Sequence, residues 1–224
     1  MEPLEKQLEF IKEAEGLKSV VREAWASTGR RESTAEHSWR LALLAGLLAP
    51  AFNVDIGKTL MMCLIHDLGE LYIGDISAAA LCDETEKHTA EERDVRHVLS
   101  RLPTEQKETL FALWQEYNDN TSPEARLVKA LDKAETIIQH NQGKNPPDFD
   151  YAFNLGYGKP YFTGHFLLRQ LRDILDTETA SHVREKTSAH GKQVEPGSDS
   201  GENKTNNLKT ASGTKSGKTI GSTS

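Results

Sequence analysis

The chain has 224 residues, room for one good-sized domain, and its 37% hydrophobic and 27% charged residues suit a soluble globular protein. A formal charge of −7 argues against a nucleic-acid backbone as partner, because that would require a basic face. Two cysteines, Cys63 and Cys82, are too few for a disulfide framework and too isolated for a zinc knuckle, so a reducing cytoplasm is the expected compartment.

The first ten residues, MEPLEKQLEF, carry neither the basic nor the apolar part of a secretory signal. No apolar run reaches the length of a membrane span, and the longest, LALLAGLLAPAF, is interrupted by Pro50. The stretch PLEKQLEFIKEAEGLKSVVREAW places Leu4, Leu8, Ile11 and Ala14 on one helical face, with a break or bend at Gly16. A second helix, ESTAEHSWRLALLAGLLAP, opens with the capping-box pattern Ser33-x-x-Glu36 and stops at Pro50. Asp55 is the expected N-cap of a third, which runs through MMCLIHDLGELYIGDI and ends near Gly74. DETEKHTAEERDVRHVLSRLP and PTEQKETLFALWQEY read as two amphipathic helices divided at Pro103. SPEARLVKALDKAETIIQHNQG has Ser122 at its N-cap, Pro123 at its first position and Gly143 past its end. A loop, KNPPDFDYAFNLGYGKPYF, leads to a last helix carrying Phe166, Leu167, Leu168, Leu171 and Ile174. Few segments alternate with period two, so no sheet is expected. The reading is a single all-α domain over residues 1–186, about seven helices around one core. The Gly, Ser, Thr, Asn and Lys composition from Thr187 onward predicts a low-complexity, disordered tail over residues 187–224.

Within the third helix His66 and Asp67 interrupt an apolar run. At about 100° per residue His66 and Glu70 lie within about 40° of each other on this helix, and Asp67 and Glu70 are surface neighbours. Imidazole and carboxylate together suit Mn, Fe, Co, Ni or Zn as divalent ions. A buried charge without partners is costly, so these groups either satisfy one another or hold something. Two more segments bear on the choice: His37 in the first turn of its helix, and Asp132 among Leu127, Val128, Leu131, Ile137 and Ile138. Each has a plainer reading when taken alone. His66–Asp67 could be a packing pair, His37 a polar residue at a helix start, and Asp132 a salt-bridge partner of Lys129 or Lys133. His88 and His97 sit on a strongly charged helix and read as solvated, while Cys63 reads as a core residue.

The set His37, His66–Asp67 and Asp132 resembles the H…HD…D signature of the HD-domain metal-dependent phosphohydrolases. The surrounding ESTAEHSWRLALLA, LIHDLGELYIGDI and LDKAE are similar to the 5′-deoxynucleotidase branch of that superfamily, over about residues 17–174. The resemblance implies an all-helical HD domain, commonly a homodimer, with one divalent metal ion (Co, Mn, Fe, Ni or Zn) on His37, His66, Asp67 and Asp132. It implies hydrolysis of nucleoside 5′-monophosphates, deoxy forms above all, to nucleoside and phosphate. Glu70 then matches the carboxylate that orients or deprotonates the attacking water, and Asp75 a second acid near the leaving oxygen or the sugar. Arg22 and Trp25 stand where the family places an arginine beside the phosphate and a tryptophan beside the sugar, although here they are three residues apart and Ala24 replaces a common glycine. Two other functions share the same residues: a triphosphohydrolase or phosphodiesterase, and a non-catalytic helical module stabilised by metal. The chain lacks additional basic segments for a long polyphosphate, and a structural metal would need neither Glu70 nor Asp75.

Overall fold

The computed structural model of the chain describes residues 2–75 and 84–192. Helix α1 (Pro3–Ala14) begins with proline at its first position, where no intrahelical amide is lost, and with a reciprocal cap between Glu2 and Glu5. It ends at Ala14 in a 3-10 turn, Glu15–Lys18, and the chain then straightens into β1 (Val21–Trp25). β1 pairs antiparallel with β2 (Arg31–Ser33), Val21 opposite Ser33 and Trp25 opposite Arg31, with an irregularity between them.

This hairpin corrects the expectation of a helix continuing to Trp25 and of a chain without a sheet. VVREAW is rich in β-branched and aromatic residues, and Gly29 supplies the positive φ of 88° that the turn between the strands requires. The register of so short a pair leaves no period-two signature long enough to read.

Ser33, the last residue of β2, caps α2 (Thr34–Leu48): its hydroxyl accepts from the Glu36 amide, and Glu36 reaches back to the Ser33 amide. Asp55 caps α3 (Ile56–Ile65) by accepting from the Lys58 amide. The third helix does not run to Gly74 but stops at Ile65; residues 66–69 form a turn, and Glu70 opens a separate short helix, α4 (Glu70–Ile73). At this break α5 (Glu84–Leu99) crosses so close to Gly69 that a β-carbon there would lie 2.7 Å from Glu91 Cβ and 3.0 Å from Glu91 Cα.

α6 (Thr104–Asp119) and α7 (Pro123–Gln142) follow, the latter with the expected Ser122 cap and Gly143 end. The expected loop carries a short α8 (Ala152–Gly156) and a 3-10 turn at Lys159–Phe162. α9 (Phe166–Lys192) closes the described chain and runs past Thr187, where the tail was expected to begin. The tail beyond Lys192, Cys82 and the start of the helix at Asp83 lie outside the described residues.

α7 is the axis of the molecule, packed by α2, α3, α6 and α9. Its Leu127, Val128, Leu131, Ala134 and Ile137 meet Leu41 and Ala45 of α2, Met62 and Cys63 of α3, and Leu168 and Leu175 of α9. Each fully buried large aliphatic side chain contributes about 1.5–3 kcal/mol. A second cluster, absent from the one-core expectation, gathers Ile65, Leu68, Val95, Val98, Leu99 and Trp114 on the other side of the 66–69 turn. Trp114 Nε1 donates to the His66 carbonyl at 3.1 Å, so the turn is pinned from beneath. Among the described residues no helix is long and apolar enough to cross a membrane.

Candidate metal centre and its cavity

Three segments far apart in sequence deliver the predicted ligands to one place. His37 is carried in the first turn of α2 and is fully buried. Its Nδ1 makes a short contact with Glu135 Oε2 on α7, so Nδ1–H donates to the carboxylate and Nε2 points its lone pair the other way. His66 sits at the C-terminal end of α3, where its Nδ1 faces the Cys63 carbonyl at 2.9 Å. A carbonyl can only accept, which places the proton on Nδ1 and again leaves Nε2 free. Both Nε2 atoms are buried and have no hydrogen-bond partner.

The two ring centroids are 5.3 Å apart, and both Nε2 atoms face carboxylate oxygens. Asp67 Oδ2 is 3.1 Å from His66 Nε2 and 3.8 Å from His37 Nε2. Asp132 Oδ1 is 3.3 Å from His37 Nε2, without hydrogen-bond geometry. One ligand atom each from His37, His66 and Asp132 falls within 4.8 Å of the others. Two orphaned imidazole nitrogens facing carboxylate oxygens form a donor set that fits a borderline divalent cation and otherwise leaves buried polar atoms unsatisfied.

The electrostatics ask for a cation there as well. Burial and the nearby Arg22 push the His37 pKa down, yet Glu135 and Asp132 outweigh them and hold it up at about 10, so without a metal ion a proton takes the cation's place on this imidazole. Burial would raise Asp67, but the imidazoles of His66 and His37 keep it down at about 2. Asp132 is likewise held well below the usual carboxylate range, by Lys133 and the two histidines acting against burial. The plainer reading of Asp132 also has a basis, because Lys133 Nζ donates to its Oδ2 at 2.9 Å and Tyr117 donates to the same oxygen at 2.8 Å. These partners occupy Oδ2 and leave Oδ1 facing His37.

The centre opens on a cavity of about 220 Å³ whose walls include His66, Asp67, Asp132, Glu70 and Asp75. Glu70 is buried in the first turn of α4, and Thr34 Oγ1 donates to its Oε2 at 3.0 Å. Burial first, and then the charges of Asp67 and Asp75, raise its pKa well above the usual range. The cavity also takes Arg22 from β1, where Nη1 donates to Glu32 Oε2 at 3.0 Å and Nη2 to Thr136 Oγ1 at 3.1 Å. Trp25 is not among the lining residues: its ring stands edge-on to Phe149 at 6.0 Å, and its carbonyl accepts from Gln139.

His88 and His97 are exposed, as expected, His88 stacked on Trp114 and His97 against Tyr72. Cys63 is a core residue, its thiol pushed up to about 12 by burial and by Asp132. Sequence reasoning missed Glu135, Glu32, Tyr117 and Lys87, and it read Lys129 and Lys133 only as salt-bridge partners of Asp132. Glu135 had a readable signal: it lies three residues after Asp132, on the same side of a helix whose neighbours are apolar. Glu32 and Tyr117 had none, since only the hairpin and the packing of α6 bring them in.

A family profile described as the HD domain matches residues 14–164. The chain is 33% identical over 141 residues to the 5′-deoxynucleotidase HDDC2 of Danio rerio, covering 62% of this chain and 70% of that protein. It is 33% identical over 138 residues to the human protein of the same name, covering 60% and 67%. Among solved structures it resembles a predicted metal-dependent phosphohydrolase from Magnetospirillum magnetotacticum MS-1, with a TM-score of 0.69, 28% identity and coverage of 81% and 96%. The profile spans the hairpin, the three segments that meet at the centre and the cavity wall, and the chain belongs to the HD-domain family.

Proposed function

We propose that the protein is a metal-dependent 5′-nucleotidase that hydrolyses deoxyribonucleoside 5′-monophosphates to deoxynucleoside and phosphate. The observation that carries this reading is the pair of buried, partnerless imidazole Nε2 atoms set against Asp67 and Asp132 at the head of a cavity lined by Glu70. The names of the HDDC2 relatives support the substrate class.

In this reading His37, His66, Asp67 and Asp132 would hold a single divalent ion of the Mn, Fe, Co, Ni or Zn group. Bound there, the ion would supply Lewis acidity and neutralise phosphate charge. Glu70 receives the proton of the attacking water; burial beside Asp67 and Asp75 makes its carboxylate a stronger base than an exposed one. Thr34 fixes the orientation of that carboxylate through Oε2. Asp75 adds negative charge at the cavity wall, next to the leaving oxygen or the sugar. Arg22 presents a cationic wall to the substrate while Glu32 and Thr136 hold its guanidinium in place. Trp25, packed edge-on against Phe149, lies outside the residues that line the cavity.

The same reading includes a cytoplasmic homodimer. The outer faces of α2 and α3 support it, because Trp39, Leu43 and Leu47 recur every fourth residue at 62, 52 and 72% exposure. Met61 and Leu64 on α3 are exposed as well. An apolar stripe of this kind marks an interaction surface.

The test is orthophosphate release from a panel of deoxy- and ribonucleoside monophosphates, after chelation and after metal is added back. Release from the deoxy forms should vanish on chelation, return with metal, be abolished in Asp67→Ala and fall about 10²- to 10⁴-fold in Glu70→Gln. A metal-loaded wild type that releases no orthophosphate from any monophosphate would sink the proposal.

A further inference from the structure

Four cations line the cavity: Arg22, Lys87, Lys129 and Lys133. Three of them already have a carboxylate. Arg22 Nη1 is 3.0 Å from Glu32, Lys87 Nζ is 3.5 Å from Glu91, and Lys133 Nζ is 2.9 Å from Asp132. Lys129 differs. Its ammonium stands 4.3 Å from the centroid of the Tyr117 ring, and among the described residues no carboxylate comes within ion-pair distance of it. It is nevertheless half-buried, and burial together with Lys133 pushes its pKa down against the more distant pull of Asp132, Asp67 and Glu91. A partly desolvated ammonium on an aromatic face is a costly arrangement unless an anion completes it.

Tyr117 ties that ammonium to the centre. Its hydroxyl donates to Asp132 Oδ2 at 2.8 Å, and its ring stands edge-on to His66 at 5.1 Å. One rigid side chain therefore sets Lys129 near the proposed ligands without an ion pair to any of them. Lys129 is also one helical turn before Lys133 on α7, so both point into the same cavity.

We propose that Lys129 is the residue that receives the phosphoryl oxygens of the substrate, and the phosphate product after it. This rests on the phosphomonoesterase reading. It assigns Arg22, with its guanidinium spent on Glu32 and Thr136, to shaping the wall around the anion. Tyr117 is a positioning residue for Lys129.

The experiment uses the full metal-loaded chain and inorganic phosphate as probe, with calorimetry for binding and product inhibition for kinetics. In Lys129→Met, phosphate should bind about 10- to 100-fold more weakly and KM for a deoxynucleoside monophosphate should rise by a similar factor. Inhibition by the deoxynucleoside product should be unchanged, metal content should stay at the wild-type level, and Lys129→Arg should recover part of the loss. Equal phosphate affinity in wild type and in folded, metal-loaded Lys129→Met overturns the inference, as does a wild type that binds no phosphate. The outcome separates from the functional reading. A wild type that hydrolyses nucleotides while Lys129→Met is unaffected sinks this inference alone. One that binds phosphate through Lys129 but hydrolyses no monophosphate sinks only the functional reading.

Discussion

Glu135 does for His37 what an imidazole ligand needs from its neighbour. By accepting from Nδ1 it fixes ring orientation and tautomer, so Nε2 faces Asp67 and Asp132 with its lone pair. The carboxylate is itself held by Arg40 Nε on α2 and lies 3.7 Å from Arg22 Nη1, so its negative charge persists despite burial. Removing that charge should loosen the centre without touching a ligand. Glu135→Gln is expected to weaken divalent-ion affinity about tenfold, and Glu135→Ala by closer to 100-fold, measured by titration calorimetry on the chelated protein. Wild-type affinity in a folded Glu135→Ala would show that His37 is oriented by packing alone. His37, His66, Asp67, Asp132, Glu70 and Asp75 were legible as residues because each is a titratable group set against an apolar or glycine-marked stretch. Trp25 was legible only by resemblance, and the structure turns it onto Phe149.

At the scale of elements, what could be read was whatever the chain writes locally. The caps at Ser33, Asp55 and Ser122 are side chains accepting from amides three residues on, and each marks a true helix start. The break at residues 66–69 is different in kind. LIHDLGELYI has helical spacing throughout, and its bend coincides with the passage of α5 over Gly69, a contact between segments no window of sequence joins. That break matters to function, since it separates Glu70 from α3 and seats it on its own short helix facing Thr34. The stripe on α2 is also an element-level feature, and it makes a definite claim. Leu43→Glu with Leu47→Glu should convert a dimer into a helical monomer by light scattering, since charges at the centre of an apolar interface are desolvated without partners. A wild type that is monomeric at micromolar concentration would contradict the dimer proposal.

For the molecule as a whole, the architecture is a device for convergence. α7 is buried along most of its length and brings Asp132 and Glu135 to the start of α2, while α3 delivers His66 and Asp67 at its end. Two hydrophobic clusters clamp the turn between them, one through Met62 and Cys63 and the other through Ile65, Leu68 and Trp114. The site buries polar groups between these clusters, which is affordable only if something satisfies the two orphaned nitrogens. Metal content therefore tests the account most directly: elemental analysis of the full chain after exposure to a single divalent ion and removal of the excess. The account predicts one ion per chain in the wild type, retained in Glu70→Gln and lost in both His66→Ala and Asp132→Ala. A wild type that retains no ion, or an Asp132→Ala variant that keeps a full equivalent, would contradict it.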